Sequence, residues 1–401
     1  MKGKKSKNIA VLSDKSLKWL KIGIIIPSAI GSIPYGWDEK TQKVVFLPSY
    51  KRHIVWTIHN LFYCWYLGFV VVRWIQYTIK ESASSPKAVG TFYIMTSYWI
   101  LMAGQYSVSK FYGEHHIWIN NFLDFLKDIQ QHQKHSLSTL SDGYTTCRNF
   151  LILVIFVFIA DVWSCWTLPD APFYISSIMP NPKILSKLEL FPFVCLHIWI
   201  WAHQWSTMFF HVNTLVPYLV GLKNSLNILR FRIAEGTEEL EYEPPNSSQA
   251  EMQTKSFGKY FRQMEVLNVV SNKLWSTANA ILEISMLLGI ICACYGTVRL
   301  DAARATQQGM IVILLTGTVI VLWGIMGELF ETSMDVLYSW KAMKQNRWFR
   351  RFFKSCKPIR VNIGQGLFFA DRGIKLTLLE IITTNVSSLL LSTSGSKGSL
   401  N

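Results

Sequence analysis

The segment IKLTLLEIITTNVSSLLLS, residues 374–392, is 19 residues long and mostly apolar. At a rise of about 1.5 Å per residue a helix of that length covers roughly 30 Å, the hydrocarbon thickness of a bilayer. Its polar residues are not scattered. At helical spacing Thr377, Glu380, Thr384 and Ser387 fall on one stripe that ends in Leu391. A helix surrounded by lipid gains nothing from such a stripe, because ionisable and hydroxyl groups inside a bilayer face a bundle interior or water. The pattern predicts a spanning helix whose polar side lines a conducting path. Hydroxyls that bond back to their own helix, or glue it to a neighbour, are the alternative.

Working outward, the whole chain has a membrane composition: of 401 residues half are apolar, 16% are charged and 14% are aromatic. Six further apolar segments precede the last one, at 53–77, 89–112, 149–169, 188–222, 276–298 and 308–330. The sequence therefore predicts an all-α, seven-transmembrane, multi-pass protein. The fourth segment is 35 residues long, about 52 Å of helix, so it either kinks near Pro217 or projects beyond the membrane. An earlier apolar run, 22–33, is broken by Pro27 and Gly31 and is too short to span; it is expected to be interfacial or re-entrant rather than a signal peptide.

The distribution of Lys and Arg sets the orientation. The N-terminal arm and alternate connections (113–148, 223–275, 331–363) carry 11, 3, 7 and 8, whereas those on the other side carry 2, 2, 2 and 1. The positive-inside rule then puts the N-terminus in the cytosol and the C-terminus outside. That is opposite to a G-protein-coupled receptor. It also assigns the net charge of +15 to the cytosolic leaflet and leaves no nucleic-acid partner to explain. The expected organisation is a cytosolic arm (1–52), a six-helix bundle (53–330) with a cytosolic loop and helix at 223–275, an anchor helix (331–363), a pore helix (364–392) and a short outer tail (393–401). The outer connections are short, so a ligand arriving from outside has to enter the bundle. On the inner side, Phe257, Phe261, Met264, Leu267, Val270 and Leu274 repeat at helical spacing, as do Met334, Leu337 and Trp340, and both series call for packing partners. The histidines 115, 116, 197, 203 and 211 lack the spacing that sets metal ligands on one helix face. No metal, cofactor or catalytic residue is expected, and the chain reads as a non-enzyme. The seven cysteines form no readable disulfide framework.

The basic run SWKAMKQNRWFRRFFKSCKPIRVNIG (339–364), followed by LFFADRGIKLTLLEIITTNVSSLLL (367–391), resembles the C-terminal part of the insect chemoreceptor superfamily of gustatory and odorant receptors. The opening IGSIPYGWDEKTQKVVF (30–46) is similar to that of the gustatory branch. The gustatory signature in the last helix is Thr-Tyr, five apolar residues, Gln-Phe. Thr384 matches its Thr, while Asn385, Leu391 and Ser392 stand at the Tyr, Gln and Phe positions, so the resemblance leaves the branch open.

The resemblance implies a plasma-membrane, ligand-gated, non-selective cation channel that needs no G protein. Four chains, identical or mixed, surround one pore in contact with membrane lipid, with the odorant co-receptor as partner if the chain is of the odorant branch. The implied ligand is a small organic tastant or odorant. Leu391 then sits at an apolar gate, with Leu390 as the fallback; Glu380 provides a ring of carboxylates; Thr384 and Ser387 meet hydrated ions. The pocket implied in the outer bundle draws on Phe92, Tyr93, Tyr98 and Trp99 in the second segment and on Asp161, Trp163 and Trp166 in the third. Phe193, His197 and Trp201 follow in the fourth and Thr316 in the sixth. A membrane transporter or another seven-helix receptor is the alternative.

Overall fold

Nearly everything in the fold is arranged around one 43-residue helix, which the sequence marks at both ends. In the computed structural model, which describes residues 11–47, 49–81, 85–132, 143–172, 174–180, 182–230, 247–299, 302–341 and 347–394, that helix is α6, Lys187–Leu229. Ser186 caps it: its hydroxyl accepts from the Glu189 backbone N–H, and the Glu189 carboxylate accepts from the Ser186 N–H, closing a reciprocal capping box. The helix continues through Pro192 and Pro217 to Leu229, roughly 65 Å in all. The helix is thus continuous through both prolines.

The other expected segments also form helices: α2 (Tyr50–Glu81), α3 (Pro86–Lys110), α5 (Tyr144–Thr167), α7 (Ser247–Arg299), α8 (Ala302–Lys341) and α10 (Ile374–Ser394). Among the described residues, four stretches are long and apolar enough to cross a membrane: Tyr50–Glu81, Lys255–Arg299, Gln308–Lys341 and Ile374–Leu391. α3 packs along α7, α2 along α3, α5 along α6, and α8 between α6 and α7; α10 lies in the seam of α7 and α8. The end at which α10 begins is called basal below.

The run 22–33 becomes the end of α1 (Asp14–Ile30), which lies against α6. Contact is close enough that a Cβ on Gly23 would fall 2.3 Å from that of Asn213. Gly31 ends the helix in the left-handed conformation, φ 81°, as expected of a glycine C-cap. An antiparallel hairpin follows, β1 (Tyr35–Asp38) with β2 (Lys43–Phe46). A helix the sequence reading did not list, α4 (His115–His132), packs beneath α6, where Trp118 and Phe122 lie 4.8 and 5.2 Å from the Tyr218 ring.

Both helical repeats noted in the sequence meet here. Phe257, Phe261, Met264, Leu267 and Leu274 are buried, as are Leu337 and Trp340. The Trp340 ring lies 5.2 Å from Phe261 and donates its Nε1–H to the Leu229 carbonyl at 3.0 Å, satisfying an end carbonyl of α6. The basic stretch 331–363 is not one helix. α8 runs to Lys341, a separate α9 spans Arg347–Ser355, and the chain then extends into β3 (Asn362–Ile363), paired with β4 (Phe368–Phe369). Pro358 follows α9 and cannot continue it.

Candidate ligand pocket and pore helix

α10 has two unlike sides. Ile374, Leu378 and Ile382, spaced by four, are buried, and Val386 packs against the same core. Thr377, Glu380, Thr384, Ser387 and Leu391 are all exposed, and at 3.6 residues per turn they lie roughly half a turn round from the buried seam. The stripe thus faces away from its own bundle.

The hydroxyls differ in the same way. Thr383, off the stripe, bonds back to the Leu379 carbonyl at 3.0 Å, and Asn385 bonds to Ile381 at 2.8 Å. The side chains of Thr377, Thr384 and Ser387 make no such bond among the described residues, and the Glu380 carboxylate has no ion-pair partner there, neither Lys375 nor Arg372. Back-bonding, the alternative raised from the sequence, is carried by the neighbours of the stripe. Such groups are suited to water and not to hydrocarbon.

Three features hold α10 in place. Asp371 caps its start, accepting from the Ile374 N–H at 2.9 Å. Gly327 of α8 lets that turn approach, since a Cβ there would stand 2.6 Å from the Asp371 carbonyl oxygen. At the far end Arg299, the last residue of α7, donates from Nη2 to the Leu390 carbonyl at 3.2 Å. A cation at a helix C-terminus is favourable to the helix dipole. Leu390 is half-buried beside this contact, whereas Leu391 is 74% exposed. Arg299 has no distinguishing sequence signal beyond being basic at the end of an apolar segment.

The aromatic candidates gather unequally. His197 and Trp201 share one face of α6, their rings 6.1 Å apart. Tyr174, from the α5–α6 connection, meets His197 edge-on at 4.9 Å, and Tyr66 of α2 lies 6.4 Å from it. Tyr66 in turn packs edge-on against Tyr98 of α3 at 5.1 Å, and the Tyr63 hydroxyl donates to the Tyr98 carbonyl. Phe92 and Trp99 are half-buried against this group; Tyr93 is half-buried and its carbonyl accepts from Thr96. Phe193 and Trp166 pack in an adjoining cluster that contains Tyr174. The indole nitrogens of Trp201 and its stacked neighbour Trp205 are buried without a hydrogen-bond partner among the described residues.

Other candidates stand apart. Trp163 is 68% exposed and turned out of the bundle, and Thr316 is half-buried on α8. Asp161 falls in α5, but its side chain lies outside the described residues. Tyr66 and Tyr174 were not identified from the sequence: each is one aromatic among many in its segment, and only the packing of α2, α3 and the α5–α6 connection brings them to His197.

No protein-family model matches the sequence, and no curated protein sequence matches it. Solved structures do. The insect olfactory receptor OR5 from Machilis hrabei superposes with a TM-score of 0.63 at 11% identity, over 93% of this chain and 97% of that one. The same receptor in complex with eugenol gives 0.62 at 12% identity, over 94% and 98%. An identity this low speaks for architecture alone, and from α1 to α10 the fold of this chain is the fold of that insect olfactory receptor.

Proposed function

We propose that the chain is a chemosensory receptor subunit that forms, with three further subunits of the same fold, a ligand-gated non-selective cation channel in the plasma membrane. The observation that carries this reading is the unpartnered polar side of α10, opposite the seam that holds it to α7 and α8. Copies meeting along that side would enclose water. Thr384 and Ser387 would face ions, Glu380 would favour cations, and a ring of Leu391 would close the path by dewetting. The N-terminus is assigned to the cytosol and the C-terminus to the outside, on the Lys and Arg distribution.

The ligand assigned to the bundle is a small, largely apolar organic, tastant or odorant. Support comes from the aromatic walls around His197 with buried indole donors and from the OR5 structure that contains eugenol. Aromatic walls with few polar groups are the usual form of such a pocket. An oxygen acceptor on the ligand would answer the Trp201 indole.

The test is expression in a null cell, alone and with the odorant co-receptor, with excised-patch recording under symmetric solutions and a panel of sugars, bitter compounds and volatiles. Ligand-evoked current without a substrate gradient is expected. Uptake of ligand without current would make the chain a carrier instead. Current only with the co-receptor would place it in the odorant branch.

A further inference from the structure

A small pocket lies on the α2–α6 side, about one turn basal of the aromatic group. His59 of α2 and His203 and Gln204 of α6 are at least nine-tenths buried. His59 Nδ1, His203 Nε2 and both amide atoms of Gln204 have no hydrogen-bond partner among the described residues. Four orphaned polar atoms in one place are costly in a bundle surrounded by hydrocarbon. These residues, with Phe62, Tyr63, Trp199 and Ile200, line an open space of about 10 Å³, which is room for one water-sized group.

A shared metal does not fit. The two imidazole centroids are 3.9 Å apart, whereas two rings bound to one zinc at about 2.0 Å from each nitrogen would hold their centres about 5 Å apart or more. Nor is the space sealed. Phe62 and Trp199, whose rings stand 5.3 Å apart, are part of its lining. Trp199 is exposed, and the outer face of α2 beside it presents Ile58, Leu61 and Trp65, all more than half exposed. The exposed surface beside the pocket is therefore apolar.

We propose that this pocket is a site for a membrane sterol, its single hydroxyl seated among His59, His203 and Gln204 and its rigid apolar body lying along Ile58, Leu61, Trp65 and Trp199. One hydroxyl matches the size of the space and can both donate and accept, which suits two imidazoles and an amide. A phospholipid head group is too large for it. The proposal rests on reading α2 and α6 as membrane-spanning, but not on conduction.

The test is photolabelling of the full chain in membranes with a diazirine-bearing sterol, followed by peptide mapping. Labelling is expected on the α2 and α6 peptides, competed by unlabelled sterol and not by a long-chain alcohol. His203→Phe with Gln204→Leu should reduce it about tenfold, the loss of one to two hydrogen bonds. Trp65→Ala, an exposed change that leaves the core intact, should reduce it as well, while His203→Gln should retain it. Labelling elsewhere, equal competition by the alcohol, or unchanged labelling in both reduced variants would overturn the site. So would a high-resolution map with density for a bound water only. Because labelling needs no current, a chain that labels but does not conduct would overturn the channel and leave the sterol site standing.

Discussion

Glu380 sets the clearest residue-scale expectation. Its carboxylate is exposed and unpaired on the polar side of α10, so neutralising it removes a charge without leaving a partner stranded. Glu380→Gln should leave expression unchanged and lower single-channel conductance and cation preference, read as a shift of reversal potential under a salt gradient. Unaltered current and reversal would take the residue out of the path. Leu391→Ala, on the same side, should produce current without ligand if the proposed ring of four forms, because smaller side chains there no longer exclude water. A different residue dictates acid sensitivity. His115 of α4 is fully buried between the Ser107 hydroxyl and the Phe111 carbonyl, and burial pushes its pKa down to about 4. A group depressed in the folded state is neutral there and protonates more readily when unfolded. Its stabilisation is therefore complete above about pH 6.5 and is lost as the pH falls through 4. The loss is on the order of 3 kcal/mol, and thermal melts of wild type against His115→Gln between pH 7.5 and 5 should show a smaller acid shift in the variant.

At the scale of elements, the seating of α10 on α8 depends on an absent side chain. Gly327→Ala would drive a methyl into the Asp371 carbonyl, so the first turn of α10 must shift, at a cost of about 1–3 kcal/mol. The expected result is a lower melting temperature with altered ligand sensitivity; an unchanged melt would mean that α10 is held chiefly at its other end, by Arg299. The sequence made the helices legible because the apolar runs that form them do not depend on tertiary context, although only four are long and apolar enough to cross a membrane among the described residues. It also gave the polar side of α10, since one helix's periodicity is a local property. α4 carries its own periodicity in Trp118, Phe122, Phe125, Leu126 and Ile129, but it is too polar to register beside spanning segments. The hairpin from Tyr35 to Phe46 was missed for a different reason: its turn relies on Asp38 accepting from the Lys40 and Thr41 N–H groups and on Gln42 at φ 53°, which no apolar pattern announces. The group around His197 was only half legible. Its α6 members share a helix face, whereas Tyr66 and Tyr174 arrive through packing.

For the whole molecule, the decisive matter is what covers the exposed sides of α10. Two exposed positions distinguish the possibilities: Thr384 on the polar stripe and Leu379, 37% exposed, on the apolar side next to the buried seam. If four chains enclose a water-filled axis, a cysteine at Thr384 meets water and a cysteine at Leu379 meets lipid or protein. A permanently charged thiol reagent reacts through thiolate and cannot enter hydrocarbon. Thr384→Cys should therefore be modified from the outer side, with loss of current, and faster when ligand holds the Leu391 ring open. Leu379→Cys should be modified slowly and without dependence on ligand. Cys147 and Cys165 are buried and the exposed Cys64 and Cys195 lie on α2 and α6, whereas Cys292 and Cys294 are half-buried on α7 beside α10 and Cys356 is half-buried, so the comparison is made with Cys292, Cys294 and Cys356 changed to serine. Equal, ligand-independent reaction at both positions would mean that no shared axis forms along this side. The polar stripe would then be the wall of something other than an ion path.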